Sequence, residues 1–248
     1  MSGWAIPAVA LAGFAAGTMN AVVGSGSLVT FPVLLALGFA PVVANVSNTV
    51  GLCLGNVSAV VGYRRELSGQ RGRFLWLALP ALAGGAVGAA LLLTLPQRVF
   101  SIVVAPLIIL AVVLVVIQPW LKGHIRQRAE ARGMRVLLPI GVFVTAVYGG
   151  YFGAAQGVIL ISLFSILLND TLQRFNALKN GIAMLVNGVA AIIFVVAAHV
   201  AWEPAALIAV SRIVGGQAGA SVGRRLSPVV LRGLLVVAGL VAVVKLLL

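Results

Sequence analysis

Long apolar runs follow one another along the whole chain, separated only by glycine-rich breaks or short basic loops, and this recurrence leaves little choice of fold. Residues 4–23, 28–37, 42–63, 74–95, 99–121, 136–168, 171–198, 203–222 and 229–248 carry at most two charged side chains each. About 20 apolar residues in a helix cross the hydrocarbon of a bilayer. Inside lipid the backbone must satisfy its own hydrogen bonds, which an open chain can do only as helices. The sequence is 62% hydrophobic and 8% charged, where a soluble domain is about 25% charged. An all-α polytopic membrane protein with about eight to ten membrane segments is therefore expected.

Two of the runs are interrupted. The first stops at Gly24-Ser25-Gly26-Ser27, resumes at residue 28 and ends at Gly38-Phe39-Ala40-Pro41. As one helix it would be roughly 50 Å long, too long for a single crossing, so a helix–break–helix hairpin is expected. The run 136–168 repeats the pattern, with its break at residues 154–157. At membrane depth such a break is tolerated only where the freed backbone lines a cavity or is buried in protein. Helix N-termini exposed there offer N–H groups that suit an anion. Residues 1–16 are apolar without a basic start, which points to a first membrane helix rather than a cleaved signal.

At a constant offset of 131 residues Gly26 matches Gly157, Asn45 matches Asn176 and Asn56 matches Asn187. At the same offset Gly84, Gly85 and Gly88 match Gly215, Gly216 and Gly219. Two transmembrane repeats, 1–121 and 136–248, joined by a basic loop at 122–135, are expected. The net charge of +13 is concentrated in the loops 64–73 and 122–135 and at Arg224-Arg225. That placement reads as a topology signal rather than a nucleic-acid surface. With the basic loops cytoplasmic, both termini lie outside, helix 42–63 runs inward and its partner 171–198 runs outward. The repeats are then inverted, with a site expected between them at the midplane. The glycine triplet at 84–88 reads as close helix packing.

Two cations stay inside the apolar layer. Lys179 lies roughly 12 Å into its helix and Arg212 roughly 13 Å into its own, at the rise of an α-helix. Burial of such a charge is costly unless something compensates it, and the four acids, Glu66, Glu130, Asp170 and Glu203, all fall at loops or helix ends. A bound anion is the natural counter-ion. Amides form a second group: Asn45, Asn48, Thr49 and Asn56 share one helical face, and Asn176, Lys179, Asn180 and Asn187 share another. The breaks add Ser25, Gly26, Ser27, Gln156 and Gly157, whose backbone and side chains could cradle an oxyanion. Asn20, Tyr148 and Tyr151 are placed near the same space.

There is no phosphate-binding glycine loop, no nucleophile–base pair and no metal-ligand set. The single cysteine, Cys53, excludes an internal disulfide. No enzyme activity and no cofactor are expected, and the partners are the lipid bilayer and a small anion.

The run Gly24-Ser25-Gly26-Ser27 to Phe31-Pro32, the stretch Ala44-Asn45-Val46-Ser47-Asn48-Thr49, and Tyr148-Gly149-Gly150-Tyr151-Phe152-Gly153 through Lys179-Asn180 resemble the sulfite exporter TauE/SafE family of membrane permeases. The resemblance covers nearly the whole chain. It implies transport of sulfite, thiosulfate, sulfonates and related anions, often outward. The sequence departs from the family at Ser25, Ser27 and Ala154-Ala155-Gln156, where a ligand would touch first. The expectation is an inner-membrane secondary transporter that exports sulfite or an organosulfonate such as sulfoacetate by alternating access. An importer or exchanger of thiosulfate, sulfate or taurine-type anions, an anion channel, and a non-transporting scaffold are the alternatives.

Overall fold

Where the chain was expected to break, it breaks. The computed structural model describes residues 3–22, 25–124, 134–221 and 228–247, all of them helix or short connection and none of them strand. The first hairpin is α1 (Ala5–Val22) and α2 (Ser27–Ala36), followed by α3 (Pro41–Gly62), a short α4 (Arg64–Ser68), α5 (Arg71–Thr94) and α6 (Gln97–His124). The second hairpin is α7 (Met134–Tyr151) and α8 (Gln156–Leu167), followed by α9 (Leu172–Ala197), α10 (Trp202–Ser221) and α11 (Pro228–Leu247). Gly24, most of the basic loop 122–135 with Glu130, and Arg224-Arg225 lie outside the described residues. The first basic loop contains the short helix α4.

Helices α5, α9 and the part of α6 up to Ile117 are each long and apolar enough to cross a membrane, while α1, α2, α7, α8 and α11 supply shorter apolar helices. Burial runs opposite to that of a soluble protein. Leu75, Leu79, Ile102, Val196 and Val210 are exposed, whereas Asn45, Ser47, Asn48, Lys179, Asn180 and Arg212 are buried. A surface of large aliphatic side chains around a polar interior is stable only where the solvent is lipid. The protein is a multi-pass membrane protein.

Small residues set the closest approaches. Helix α1 lies against α10 and α5 against α7. A Cβ on Gly17 would lie 2.3 Å from the Arg212 carbonyl oxygen, and one on Gly88 would lie 2.1 Å from that of Val147. No side chain fits there, so the glycines let backbones touch, as small-residue stripes do between membrane helices. This also decides the role of Gly84, Gly85 and Gly215 as packing residues: each faces a neighbouring helix at contact distance.

One end of the bundle is tied by charge. Asp170, between α8 and α9, accepts from Arg73 at 3.0 Å and pairs with Arg174 at 2.9 Å. Buried Gln70 donates to the Arg174 carbonyl at 3.0 Å, and Arg174 donates to the Gly69 carbonyl at 3.3 Å. Partial burial pushes the Asp170 carboxyl up, but the Thr171 N–H and the guanidinium groups of Arg73 and Arg174 outweigh it and hold it below its ordinary value. A depressed folded-state pKa stabilises above the unfolded value, about 3.9 for aspartate, and that stability is lost as pH falls through the folded value. The melting temperature in detergent is therefore expected to drop below about pH 4, and Asp170→Asn should remove that step. At pH 7 the substitution should cost on the order of 1 kcal/mol. An unchanged acid profile in the variant would show that Asp170 is not the group responsible.

Candidate functional site

The chemistry gathers where the two breaks meet. In the second, Gly153 (φ +76°) and Ala155 (φ +58°) take left-handed backbone. For alanine that conformation is disfavoured by about 1–2 kcal/mol, so neighbours must hold it. The Ser25 hydroxyl accepts from the Ala155 N–H at 3.1 Å, the Ser27 hydroxyl donates to the Gly153 carbonyl at 3.4 Å, and the Tyr148 hydroxyl donates to the Ala154 carbonyl. The first break thus splints the second. Helix α8 starts at Gln156, rather than after a break running through 157.

Below this junction lies a small, partly open cavity of about 30 Å³. Gly26 and Ser27 reach it from the first break, and Gln156 and Gly157 from the first turn of α8. Asn48, Thr49, Leu52 and Asn56 of α3 face Lys179, Asn180, Ala183 and Asn187 of α9 across it. Asn20 of α1 and Arg212 of α10 complete the wall, with Phe152 and Gly153 at the break. Lys179 and Arg212 are 2% and 4% exposed. Among the described residues no Asp or Glu lines the cavity.

The hydrogen bonds give the cavity its polarity. The Asn48 Oδ1 accepts from the Thr30 hydroxyl. The Asn56 Oδ1 accepts from Arg212 Nη2 at 2.9 Å, while Arg212 Nη1 donates to the Leu52 carbonyl at 2.9 Å. Both amides have their oxygens engaged by protein donors; the Asn48 nitrogen is thereby oriented as a group left to donate, while the Asn56 nitrogen donates to the Ala183 carbonyl at 3.5 Å. Two cations, the fixed Asn48 donor and the N-terminal turn of α8 make the cavity a donor-rich, positive site that suits an anion.

Twelve of the residues chosen from sequence line this space: Lys179, Arg212, Asn20, Asn48, Thr49, Asn56, Asn180, Asn187, Gly26, Ser27, Gln156 and Gly157. Asn45, Ser25, Asn176, Tyr148 and Tyr151 are not among its lining residues. Asn45 donates to the Tyr151 carbonyl at 2.8 Å and so fastens α3 to α7. Ser25 is spent on the Ala155 N–H. Asn176 is half-buried one turn before Lys179 and is not among the lining residues. Arg212 also differs from expectation, since protein acceptors engage it directly. Two residues escaped sequence reasoning. Gly55 makes room for the Arg212 stem, where a Cβ would lie 2.5 Å from Cδ, and Gly149 makes room for the Gln156 carboxamide, where a Cβ would lie 2.4 Å from Nε2. Nothing in the sequence separates these glycines from packing glycines, because their partners are distant in the chain. Among the described residues no three His, Cys, Asp or Glu come together to hold a metal.

Comparison with known proteins bears on what such a cavity serves. The family described as sulfite exporter TauE/SafE matches residues 9–246. The chain belongs to this family. Among its relatives is the probable membrane transporter protein YfcA of Escherichia coli K12, 26% identical over 234 residues, covering 94% of this chain and 86% of YfcA. Probable membrane transporter protein ORF9 of a Sinorhizobium species is 24% identical over 237 residues, covering 96% of this chain and 90% of ORF9. A probable membrane transporter protein of Haemophilus influenzae is 24% identical over 208 residues. This TauE/SafE member is thus a membrane transporter of a transporter family, not an enzyme.

Proposed function

We propose that this TauE/SafE protein exports a small sulfur oxyanion, sulfite or an organosulfonate such as sulfoacetate, across the inner membrane by alternating access. The observation that carries the anion reading is the lining itself: two buried cations and amides whose oxygens are already engaged, with no carboxylate among them. Sulfur as the central atom is supported by the family's description. Lys179 is the principal charge, Arg212 a second positive group on the wall, and Asn48, Thr49, Asn180, Ser27 and the first turn of α8 the hydrogen-bonding frame.

Alternating access is supported by the helix order. Shifted by 131 residues, α1, α2, α3, α5 and α6 begin within two residues of α7, α8, α9, α10 and α11. The packing follows the same exchange: α1 lies on α10 as α7 lies on α5, α3 lies on α10 as α9 lies on α5, and α3 meets α9 directly. In our reading these are two inverted repeats related by a pseudo-two-fold through the cavity, the architecture that rocks around a midplane site. The basic segments 64–73 and 122–135 are assigned to the cytoplasm and both termini to the outer side.

Anion-dependent thermal stabilisation of the purified protein tests this. Sulfite, thiosulfate, sulfoacetate, taurine, sulfate and chloride are compared on wild type and Lys179→Gln. A ligand at a hundred times its dissociation constant adds about 2.7 kcal/mol. A sulfur oxyanion should stabilise wild type and leave Lys179→Gln unmoved, and the variant should lose vesicle transport. Equal stabilisation of both proteins would remove Lys179 from the site.

A further inference from the structure

One polar side chain of the cavity keeps a buried donor unpartnered among the described residues. Gln156 is 3% exposed and lines the cavity, and its Nε2 has no hydrogen-bond partner among the described residues. A buried amide donor left without an acceptor carries a desolvation penalty that natural proteins rarely leave uncompensated. The surroundings are arranged to keep it there. Gly149 leaves just the space the carboxamide occupies, and the left-handed Ala155 before it is held by Ser25. Gln156 is also the first residue of α8, a helix of 12 residues, so its donor stands beside a helix N-terminus that also faces the cavity through Gly157.

We propose that Gln156 determines specificity in the anion site, donating its Nε2 hydrogens to a ligand oxygen at the N-terminus of α8 and thereby selecting oxyanions over halides. The inference rests on the anion reading above and adds the class of ligand. Lys179 attracts any anion of the right size. The donors around the cavity, however, stand on separate helices, Gln156 on α8, Lys179 on α9 and Asn48 on α3. A single-atom halide meets one of them well, whereas a tetrahedral or pyramidal oxyanion carries acceptor atoms pointing several ways. A site built to hydrogen-bond a ligand atom discriminates strongly against a ligand that lacks it, because the buried donor is then left unpaired.

The test is a comparison of affinities for sulfite, sulfate and chloride, measured by calorimetry on the full chain in detergent. Gln156→Leu keeps the size and removes the donor. Oxyanion affinity should fall about tenfold or more, the worth of one hydrogen bond to a charged group, while chloride affinity stays as in wild type. Gln156→Glu should weaken every anion. Should Gln156→Leu not fold, Gly149→Ala displaces the carboxamide without removing it and should lower the same oxyanion-to-chloride ratio. Oxyanion and chloride affinities that fall in parallel, or an unchanged ratio, overturn the proposal. Lys179→Gln, run alongside, separates the two readings. If it abolishes binding while Gln156→Leu behaves as wild type, the anion site stands and Gln156 has no part in it. If wild type binds none of the three and no sulfoacetate either, both readings fail.

Discussion

Gly215→Ala is expected to leave little folded protein, while Gly216→Ala, one residue along the same helix, should be harmless. A Cβ on Gly215 would lie 2.0 Å from the Phe14 carbonyl oxygen and 2.7 Å from the Phe14 Cα, whereas one on Gly216 meets nothing within 4 Å. Phe14 and Gly215 are both backbone of packed helices, so no side chain can swing aside and α1 and α10 must separate. Their separation also stretches the Thr18 hydroxyl bond to the Gly215 carbonyl, 3.0 Å here. Overpacking a well-fitted core costs typically 1–3 kcal/mol, and a backbone-limited contact belongs at the upper end, about 3 kcal/mol. Alanine in place of glycine inside a helix otherwise gains about 1 kcal/mol, which is why Gly216→Ala should melt at or above wild type. Gly88→Ala, against the Val147 carbonyl at 2.1 Å, should behave like Gly215→Ala. The readout is the monodisperse fraction after extraction and the melting temperature. Equal melting of the Gly215 and Gly216 variants would mean that the α1–α10 approach does not depend on the missing side chain.

That contrast marks how far the sequence could be read. The helices and the two hairpins were legible because they follow from hydrophobic run length and glycine breaks, which are local. The packing role of Gly84, Gly85 and Gly88 was legible from spacing. So was the inward face of α3, since Asn48, Thr49 and Asn56 cannot point at lipid. Legibility ended where two distant segments share one atom. Asn45 and Asn48 sit on the same stripe, yet Asn48 reaches the cavity while Asn45 is taken by the Tyr151 carbonyl. Ser25 and Ser27 lie two residues apart, and only Ser27 lines the cavity. The periodicity of a helix or a break places a residue on a face and does not say which neighbour claims its hydrogen-bonding atoms. The matching of the two halves at 131 residues stops at the charges for the same reason. Lys179 stands opposite Asn48 and Arg212 opposite Ala81 at that offset, so the positive charge of the site belongs to the second half alone.

Arg212→Met separates the two duties of the remaining cation. In the folded protein Arg212 bridges the Leu52 carbonyl and the Asn56 Oδ1, and Asn56 in turn donates to the Ala183 carbonyl at 3.5 Å, so α10, α3 and α9 are linked through one guanidinium. The substitution removes a buried charge, which by itself relieves desolvation, but it leaves the Asn56 Oδ1 without its donor, at about 1–3 kcal/mol. Stability without ligand is therefore expected to fall by no more than about 2 kcal/mol. Arg212→Met/Asn56→Leu, which removes both partners, should recover most of that loss. Anion affinity should not recover. At an effective dielectric of about 20, a unit charge placed about 8 Å from an anion would contribute on the order of 2 kcal/mol, or roughly 30-fold in the dissociation constant. Both variants should show that loss, because both lack the charge. Recovery of binding together with stability in the double variant would make Arg212 a cross-link only and leave Lys179 as the single cation that meets the anion. Persistent loss of binding in a protein of restored stability would assign Arg212 an electrostatic part in the site, exerted through a group whose hydrogen bonds go to its own helices.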